Sequence, residues 1–294
     1  MKAFSLLGLL AAGALGLSAC GAPATVSQAV TSLGASPYLQ LHVTGSLSSA
    51  DPTYANAQSV VKDLSLTLDY ASTNGANLSA AGTSVDGEAV LAVSGTTVVD
   101  VRSIGANLYV EFDLTPLISL PGVNVPPGSL AAAEQMVGGR WFEIPQSLIT
   151  QFAAAHQPSA AQVARAQSLA RAAIKALSTL VESAPATSSN GTFSETGTLQ
   201  SVVDALAPVL GPATGATAPT VSGTYSISLT TSGTTATGGS VTITSSGTSA
   251  HPTTSPVTVS MQATASHDTL DVATPAGAIV VTPSMLSQLS SIGG

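Results

Sequence analysis

Apolar and polar residues alternate with period two over several stretches of the chain. The clearest runs lie at residues 39–47, 64–70 and 108–114. Successive side chains of a strand point to opposite faces of a sheet, so this alternation predicts strands with one buried face. Four shorter runs late in the chain have the same form, at residues 225–229, 241–243, 257–261 and 270–272.

Clusters of Gly, Asn, Asp and Ser separate the alternating runs and predict hairpin turns. These clusters lie at residues 73–75, 86–87, 105–107, 233 and 238–239. Strands with one apolar face that are joined by tight turns are typical of an antiparallel sheet, whereas parallel strands are apolar on both faces.

A helical period replaces the alternation in the middle of the chain. Ser159 and Gln162 have the spacing of a capping box, and an apolar stripe then continues until Pro185. Shorter helices are predicted at residues 25–36, 147–155, 199–210 and 282–289. Strands on both sides of central helices indicate an α+β fold.

Residues 184–194 and 211–220 have the Ala, Pro, Ser and Thr content of linkers, so a division into two halves stays open. We favour one domain, because the strands on either side would each need the same central helices to cover their apolar face.

The N-terminus carries the pattern of a secretory signal. Lys2 precedes an apolar run over residues 6–17, which is too short to span a bilayer. The run ends in Leu17-Ser18-Ala19-Cys20, which resembles the bacterial lipobox. This resemblance implies attachment of diacylglycerol to the Cys20 sulfur and cleavage between Ala19 and Cys20. The alternative is an ordinary signal peptide with a chance cysteine, which would leave the chain's single Cys as a free thiol.

Cleavage there defines a signal peptide over residues 1–19, a lipidated tether over residues 20–24 and a folded domain over residues 25–294 with Ser/Thr-rich C-terminal hairpins. Two acyl chains give stable membrane binding, whereas one chain binds only marginally. We therefore expect a lipoprotein that acylated Cys20 anchors to the outer face of the bacterial cytoplasmic membrane.

Charge is scarce and acidic. Only 7% of the residues are charged, with 15 acidic against seven basic ones, and no Lys or Arg follows Lys175. An average globular chain is about 25% charged. Nucleic-acid binding depends on cations that neutralise phosphates. The sequence therefore excludes a nucleic-acid partner.

Familiar catalytic and metal-binding motifs are missing from the sequence. No histidine has a second one within five residues, and the nucleophile-elbow, P-loop and dinucleotide patterns do not occur. Acidic pairs lie on predicted solvent faces or beside turns, at Asp86/Glu88, Glu111/Asp113 and Asp268/Asp271. We expect no enzyme, metal or cofactor; an acidic pair in a deep cleft with a raised pKa would favour a hydrolase instead.

Two short motifs carry a family resemblance. Residues 98–114 read VVDVRSIGANLYVEFDL, and residues 139–145 read GRWFEIP. Together with the lipobox they resemble the LppX/LprG type of actinobacterial lipoprotein and are similar to the wider LolA/LolB-like carrier architecture. The resemblance implies a strongly curved antiparallel sheet, a half-barrel, wrapped around a few central α-helices, with an apolar cavity for acyl chains on its concave side.

The resemblance further implies that apolar strand and helix residues line this cavity, namely Leu66, Leu68, Val110, Phe112 and Leu177. The same side chains could instead pack as an ordinary core. Two functions therefore stay open: a lipoprotein that binds or shuttles lipid, and an envelope interaction or scaffold lipoprotein with a protein partner and no lipid ligand.

Overall fold

The computed structural model describes residues 32–118, 137–155, 187–189, 191–214, 220–248 and 252–285, and the single positions 120, 134, 135, 168 and 172. Ala19, Cys20 and Leu177 lie outside the described residues. So do the predicted helix over residues 159–184, apart from two positions, and most of the predicted helix over residues 25–36.

The described residues form an α+β structure, as predicted, with mostly antiparallel strands. The strands are β1 (Tyr38–Ser49), β2 (Leu64–Ser72), β3 (Val85–Val93), β4 (Thr96–Ile104), β5 (Asn107–Phe112), β6 (Trp141–Ile144), β7 (Thr187–Ser189), β8 (Thr192–Thr198), β9 (Val221–Ser232), β10 (Thr235–Thr248), β11 (Pro252–Ser266) and β12 (Ile279–Val280). The α-helices are α1 (Ala55–Asp63), α2 (Leu78–Ala81), α3 (Thr115–Ile118), α4 (Gln146–Ala155) and α5 (Leu199–Thr214).

The chain divides into two compact units. The first comprises the described residues within 1–35, 45–58 and 158–265, and the second those within 36–44, 59–157 and 266–294. The strand order is β11-β10-β9-β8-β7 in the first unit and β12-β6-β5-β4-β3-β2-β1 in the second, with the residues of β1 shared between them. One domain over residues 25–294 stays a prediction.

In the second unit, β1 to β6 pair in chain order, each strand antiparallel to the next. Gly95 and Gly105 close the β3–β4 and β4–β5 hairpins with φ of +80° and +57°. Glycine adopts this left-handed conformation without the steric cost that a Cβ brings. β12 then pairs with β6 in parallel.

The most deeply buried side chains of the second unit are Val93 and Val98, each 1% exposed. Leu120 completes their cluster, and partly buried apolar side chains pack against it, among them Val60 of α1 and Leu117 of α3. The core therefore lies where these short helices meet the end of the β3–β4 hairpin.

Most strand and helix predictions are confirmed. The predicted runs fall in β1, β2, β5, β9, β10 and β11, and the helices at residues 147–155 and 199–210 fall in α4 and α5. The predicted linkers are partly wrong, because residues 184–194 contain β7 and the start of β8, while α5 continues to Thr214.

Two predicted turns are wrong, because their glycines lie inside strands β3 and β10. A Cβ on Gly238 would come within 2.7 Å of the Ala263 carbonyl oxygen, and one on Gly239 within 2.8 Å of the Ser228 carbonyl oxygen. The register shifts between Ala236 and Gly238, as in a β-bulge. These glycines therefore permit close strand approach and do not reverse the chain.

The strand predicted at residues 270–272 is also wrong. Between β11 and β12 the chain forms neither helix nor strand. The alternation there rests on Leu270 and Val272 alone, and Pro275 and Gly277 follow at once. Proline lacks the N–H that a ladder requires. Val272 is nevertheless buried, and it is the one buried side chain between β11 and β12.

The Val93 cluster yields a stability prediction. Val93→Ala removes two methyl groups from a fully enclosed site, so we expect a loss of about 2 kcal/mol in the free energy of unfolding. Val280→Ala is the matched control, because Val280 is 50% exposed, and we expect it to change stability by less than about 0.5 kcal/mol. Urea denaturation followed by circular dichroism measures both; equal losses would contradict this assignment of the core.

Candidate functional site

Four of the residues predicted to line a cavity lie on one face of the second unit's sheet. Leu68, Ala89, Val101 and Val110 are cross-strand partners in one row over β2 to β5. The neighbouring row on the same face is formed by Leu66, Leu91, Val99 and Phe112.

These two rows differ in burial. Leu68 and Val110 are buried, while Leu66 and Phe112 are half-buried. The apolar face continues onto Leu41 of β1 and Phe142 of β6, the partners of Leu68 and Val110. The structure thus brings four predicted residues together, whereas their role as a cavity lining stays a prediction.

The first unit's sheet has two unlike faces. Tyr225, Ile243 and Val259 are partners across β9 to β11, and Ile227, Val241 and Met261 form the next apolar row. Ile243, Val259 and Met261 are 36%, 38% and 46% exposed. The described residues therefore leave part of this apolar face open.

The other face of that sheet carries Ser and Thr hydroxyls. Hydroxyl pairs join neighbouring strands at 2.8 Å between Ser228 and Ser240 and at 3.0 Å between Thr242 and Ser260. An open groove of about 390 Å³ is lined by Thr196, Gly197, Thr198, Thr224, Tyr225, Ser226, Thr242 and Thr244. This groove is lined mainly by hydroxyl-bearing residues and by none of the residues predicted for a lipid cavity.

A buried polar pair lies on the apolar side of the first unit's sheet. The Tyr225 hydroxyl donates to Glu195 Oε1 at 2.8 Å, and both residues are buried. Burial raises the pKa of Glu195, and burial with this hydrogen bond raises the pKa of Tyr225 to about 12. A Cβ on Gly197 would lie 2.5 Å from Tyr225 Cε1, so glycine is needed where the ring crosses β8.

A charged group of side chains, called here the Arg102 cluster, lies on the opposite face of the second unit's sheet from the leucine and valine rows. Its members are Asp69, Glu88, Asp100, Arg102 and Glu111. In the strand register, Glu88 of β3 lies opposite Asp69 of β2 and opposite Arg102 of β4. Asp100 of β4 lies opposite Glu111 of β5.

Arg102 is the centre of this cluster. Its Nη2 atom lies 2.9 Å from Glu88 Oε1 and 3.0 Å from Asp100 Oδ2. Its Nη1 atom donates to the Ala273 carbonyl oxygen at 3.0 Å. The guanidinium carbon lies 4.5 Å from the centroid of the Trp141 ring, which is a cation–π distance. The Arg102 guanidinium therefore contacts two carboxylates, one backbone carbonyl and one aromatic ring.

The cluster holds more negative charge than this cation compensates. The exposed fractions of the Asp100, Glu88 and Arg102 side chains are 8%, 15% and 23%. Burial, with the neighbouring charge of Asp100, raises the pKa of Glu88 to about 7, against the opposing effect of Arg102. Burial also raises the pKa of Asp69 and Glu111.

Several polar atoms of the cluster are buried without a hydrogen-bond partner among the described residues. They are Asp69 Oδ1, Asp100 Oδ1 and Arg102 Nε. Because an unsatisfied buried polar atom costs stability, the arrangement is sensitive to where protons and cations lie.

Asp86 and Glu88 were predicted to lie on a solvent-exposed face, and this prediction is wrong for Glu88, whose side chain is only 15% exposed. Its carboxylate pairs with Arg102 of the next strand, while Asp86 Oδ1 accepts from the Gly105 N–H at 2.9 Å. Sequence analysis did not single out Asp100 and Arg102. The sequence feature that could have identified them is the Asp-x-Arg spacing in β4, which places both side chains on the face opposite to that of Val99 and Val101.

Within the part of the chain that the structure describes, no group of three or more His, Cys, Asp or Glu side chains is placed to hold a metal ion. In the same part of the chain, no helix has the length and hydropathy needed to cross a bilayer.

Comparison with known proteins finds distant similarity at the level of structure. No family model and no curated protein matches the chain. Among solved structures, the Mycobacterium tuberculosis lipoprotein LppX is similar over 85% of this chain and 97% of its own, with 13% sequence identity and a TM-score of 0.33.

The Arg102 cluster yields a prediction about stability and pH. Arg102→Met removes the only cation of the cluster and leaves its carboxylates uncompensated. Such a loss costs about 3–5 kcal/mol for a fully buried pair; because Arg102 is partly exposed, we expect about 2 kcal/mol at pH 8. At pH 5 Glu88 holds its proton, so the loss should be smaller.

Urea denaturation at the two pH values measures this difference. Arg140→Met is the matched control, since Arg140 is an exposed arginine of the same unit. A loss that is independent of pH, or equal in the two variants, would contradict the electrostatic role of Arg102.

Proposed function

We propose that this protein is a non-enzymatic lipoprotein of the bacterial cell envelope, anchored through acylated Cys20, which binds or shuttles lipid acyl chains against the apolar face of the β2–β5 sheet. The observation that carries the proposal is the pair of cross-strand rows that contain Leu66, Leu68, Val110 and Phe112. The lipobox resemblance of Leu17-Ser18-Ala19-Cys20 supports the anchor.

The proposed mechanism requires shape and apolar surface, and no reacting group. Burial of hydrocarbon contributes about 25 cal/mol per Å² of apolar area, or about 0.8 kcal/mol per methylene. Aliphatic rows of Leu, Val and Ala make no directional demand on a ligand, so they suit flexible chains. The charged groups of the second unit's sheet lie on its other face, where they do not oppose such contact.

A specific observation favours a second candidate, the envelope interaction or scaffold lipoprotein without a lipid ligand. The first unit exposes Ile243, Val259 and Met261 together on one face of β10 and β11. Adjacent exposed apolar side chains are a feature of protein interaction sites. Under this candidate, the protein purifies with a protein partner and carries no lipid.

A bulky substitution on the apolar face tests the first candidate. Ala89 lies between Leu68 and Val101 in its row, so Ala89→Trp should occupy the space of an acyl chain. We expect lipid affinity to fall about tenfold, equal to about 1.4 kcal/mol. Organic extraction and mass spectrometry of protein from its native membrane measure the bound lipid.

The matched control is Ala92→Trp, which places the same side chain on the same strand but on the opposite face. We expect Ala92→Trp to retain lipid at the wild-type ratio, with circular dichroism confirming that both variants fold. Absence of non-covalent lipid from the wild type, or equal effects of the two variants, would favour the scaffold candidate.

The anchor has its own test. Cys20→Ser removes the sulfur that the lipid modification requires, so we expect the variant to leave the membrane fraction. Carbonate washing followed by immunoblotting measures the distribution. A variant that remains in the washed membrane would contradict anchoring through Cys20, while leaving the lipid-binding test above unaffected.

A further inference from the structure

The segment between β11 and β12, residues 267–278, is called here the covering segment. It forms neither helix nor strand, yet contacts at three points tie it and its continuation to the second unit. The His267 ring lies 3.1 Å from the Tyr38 carbonyl oxygen, the Ala273 carbonyl accepts from Arg102, and the Val281 N–H donates to the Glu143 carbonyl oxygen at 2.8 Å.

These contacts lie on β1, β4 and β6 in turn. The contact with Glu143 continues the parallel pairing of β12 with β6, whereas at Ala273 the chain lies against the polar face, where Arg102 is located. Val272, beside Ala273, is buried, although the residues around it are exposed. The middle of the covering segment is thus held by one buried side chain and one hydrogen bond to the Arg102 guanidinium.

We propose that the Arg102 cluster is a proton-controlled latch, which holds the covering segment against the sheet while Glu88 is protonated and releases it when Glu88 ionises. The proposal stands on the geometry of the cluster and is independent of the lipid-binding function. It assigns a role to the charged face that the proposed function does not use.

The charges around the latch explain the direction of the switch. On the sheet side they are Asp69 of β2, Glu88 of β3, Asp100 and Arg102 of β4, Glu111 of β5 and Glu143 of β6; on the covering segment they are His267, Asp268 and Asp271. Ionisation of Glu88 adds one poorly solvated negative charge to a cluster that already has more carboxylates than cations, which disfavours the covered state.

Proton linkage gives the same direction. Burial is the largest cause that raises the pKa of Glu88, from 4.5 to about 7. A carboxyl with a raised pKa in the covered state keeps a proton that the uncovered state would lose. The covered state is therefore favoured most below pH 4.5, and it loses this advantage as the pH rises through about 7. Other local switches work through the same coupling.

The single tryptophan of the chain provides a natural probe, because Trp141 stacks on Arg102. With the full-length protein, we expect Trp141 fluorescence to titrate with a midpoint near pH 7. Hydrogen exchange in residues 268–278, corrected for its intrinsic pH dependence, should rise by up to about tenfold per pH unit as the pH approaches this midpoint and should level off above it.

Glu88→Gln replaces the titrating carboxyl with a neutral amide of the same shape, so it should keep exchange slow and fluorescence constant from pH 5.5 to 8.5. Asp63→Asn is the control, since it removes a carboxylate of the same unit outside the cluster and should preserve both transitions. Asp69→Asn removes a like charge that raises the pKa of Glu88, and it should move both midpoints to lower pH.

Coincident transitions that Glu88→Gln abolishes and Asp69→Asn displaces would support the latch. A fluorescence transition without a change in exchange would overturn it, because the cluster would then titrate beneath a fixed segment. Retention of the exchange transition in Glu88→Gln, or its absence in the wild type, would overturn it as well. If circular dichroism shows that Glu88→Gln does not fold, Asp69→Asn provides the test. Midpoints that move to lower pH would support the latch, and unchanged midpoints would overturn it.

Discussion

The register between β2 and β5 is the constraint on which the second unit depends. With the observed pairing, Leu68 and its partners share one face while Asp69, Glu88 and Arg102 share the other. Side chains alternate with period two, so a slip of one residue on any strand would move carboxylates into the apolar rows. The cost of burying unpaired charge makes such slips unfavourable, and the charged cluster thereby specifies the register.

The same arrangement separates two physical environments on one layer of backbone. The apolar rows gain stability from area removed from water and have no directional requirement. The Arg102 cluster gains stability only when particular atoms meet, and a partly satisfied polar network responds strongly to one proton. The unpaired Asp69 and Asp100 oxygens fit that description. Packing and switching can therefore change independently, since the backbone lies between them.

The sequence predicted the strands well because their information is local. Alternation at residues 39–47 or 64–70 depends on neighbouring positions alone, and burial of one face follows directly. The Arg102 cluster requires the register of four strands, which no single strand encodes, so Glu88 was predicted to lie on a solvent face. Gly238 and Gly239 were misplaced for a similar reason: their close contacts are with β11 and β9, which are remote in sequence from a local turn pattern.

The Arg102 cluster contains several of the few charged residues of the chain. With 15 acidic and seven basic residues, the chain places four of the former and one of the latter in a half-buried group on a single face. In the first unit, by contrast, rows of Ser and Thr hydroxyls cover the polar face, and neighbouring hydroxyls form hydrogen bonds, as between Thr244 Oγ1 and Thr258 Oγ1 at 3.0 Å. Hydroxyls do not change charge with pH. In the second unit, the described carboxyl groups whose pKa burial raises are Asp69, Glu88 and Glu111, and all three lie on the polar face of the sheet. The two rows on the other face contain only Leu, Val, Ala and Phe, whose contacts do not depend on protons.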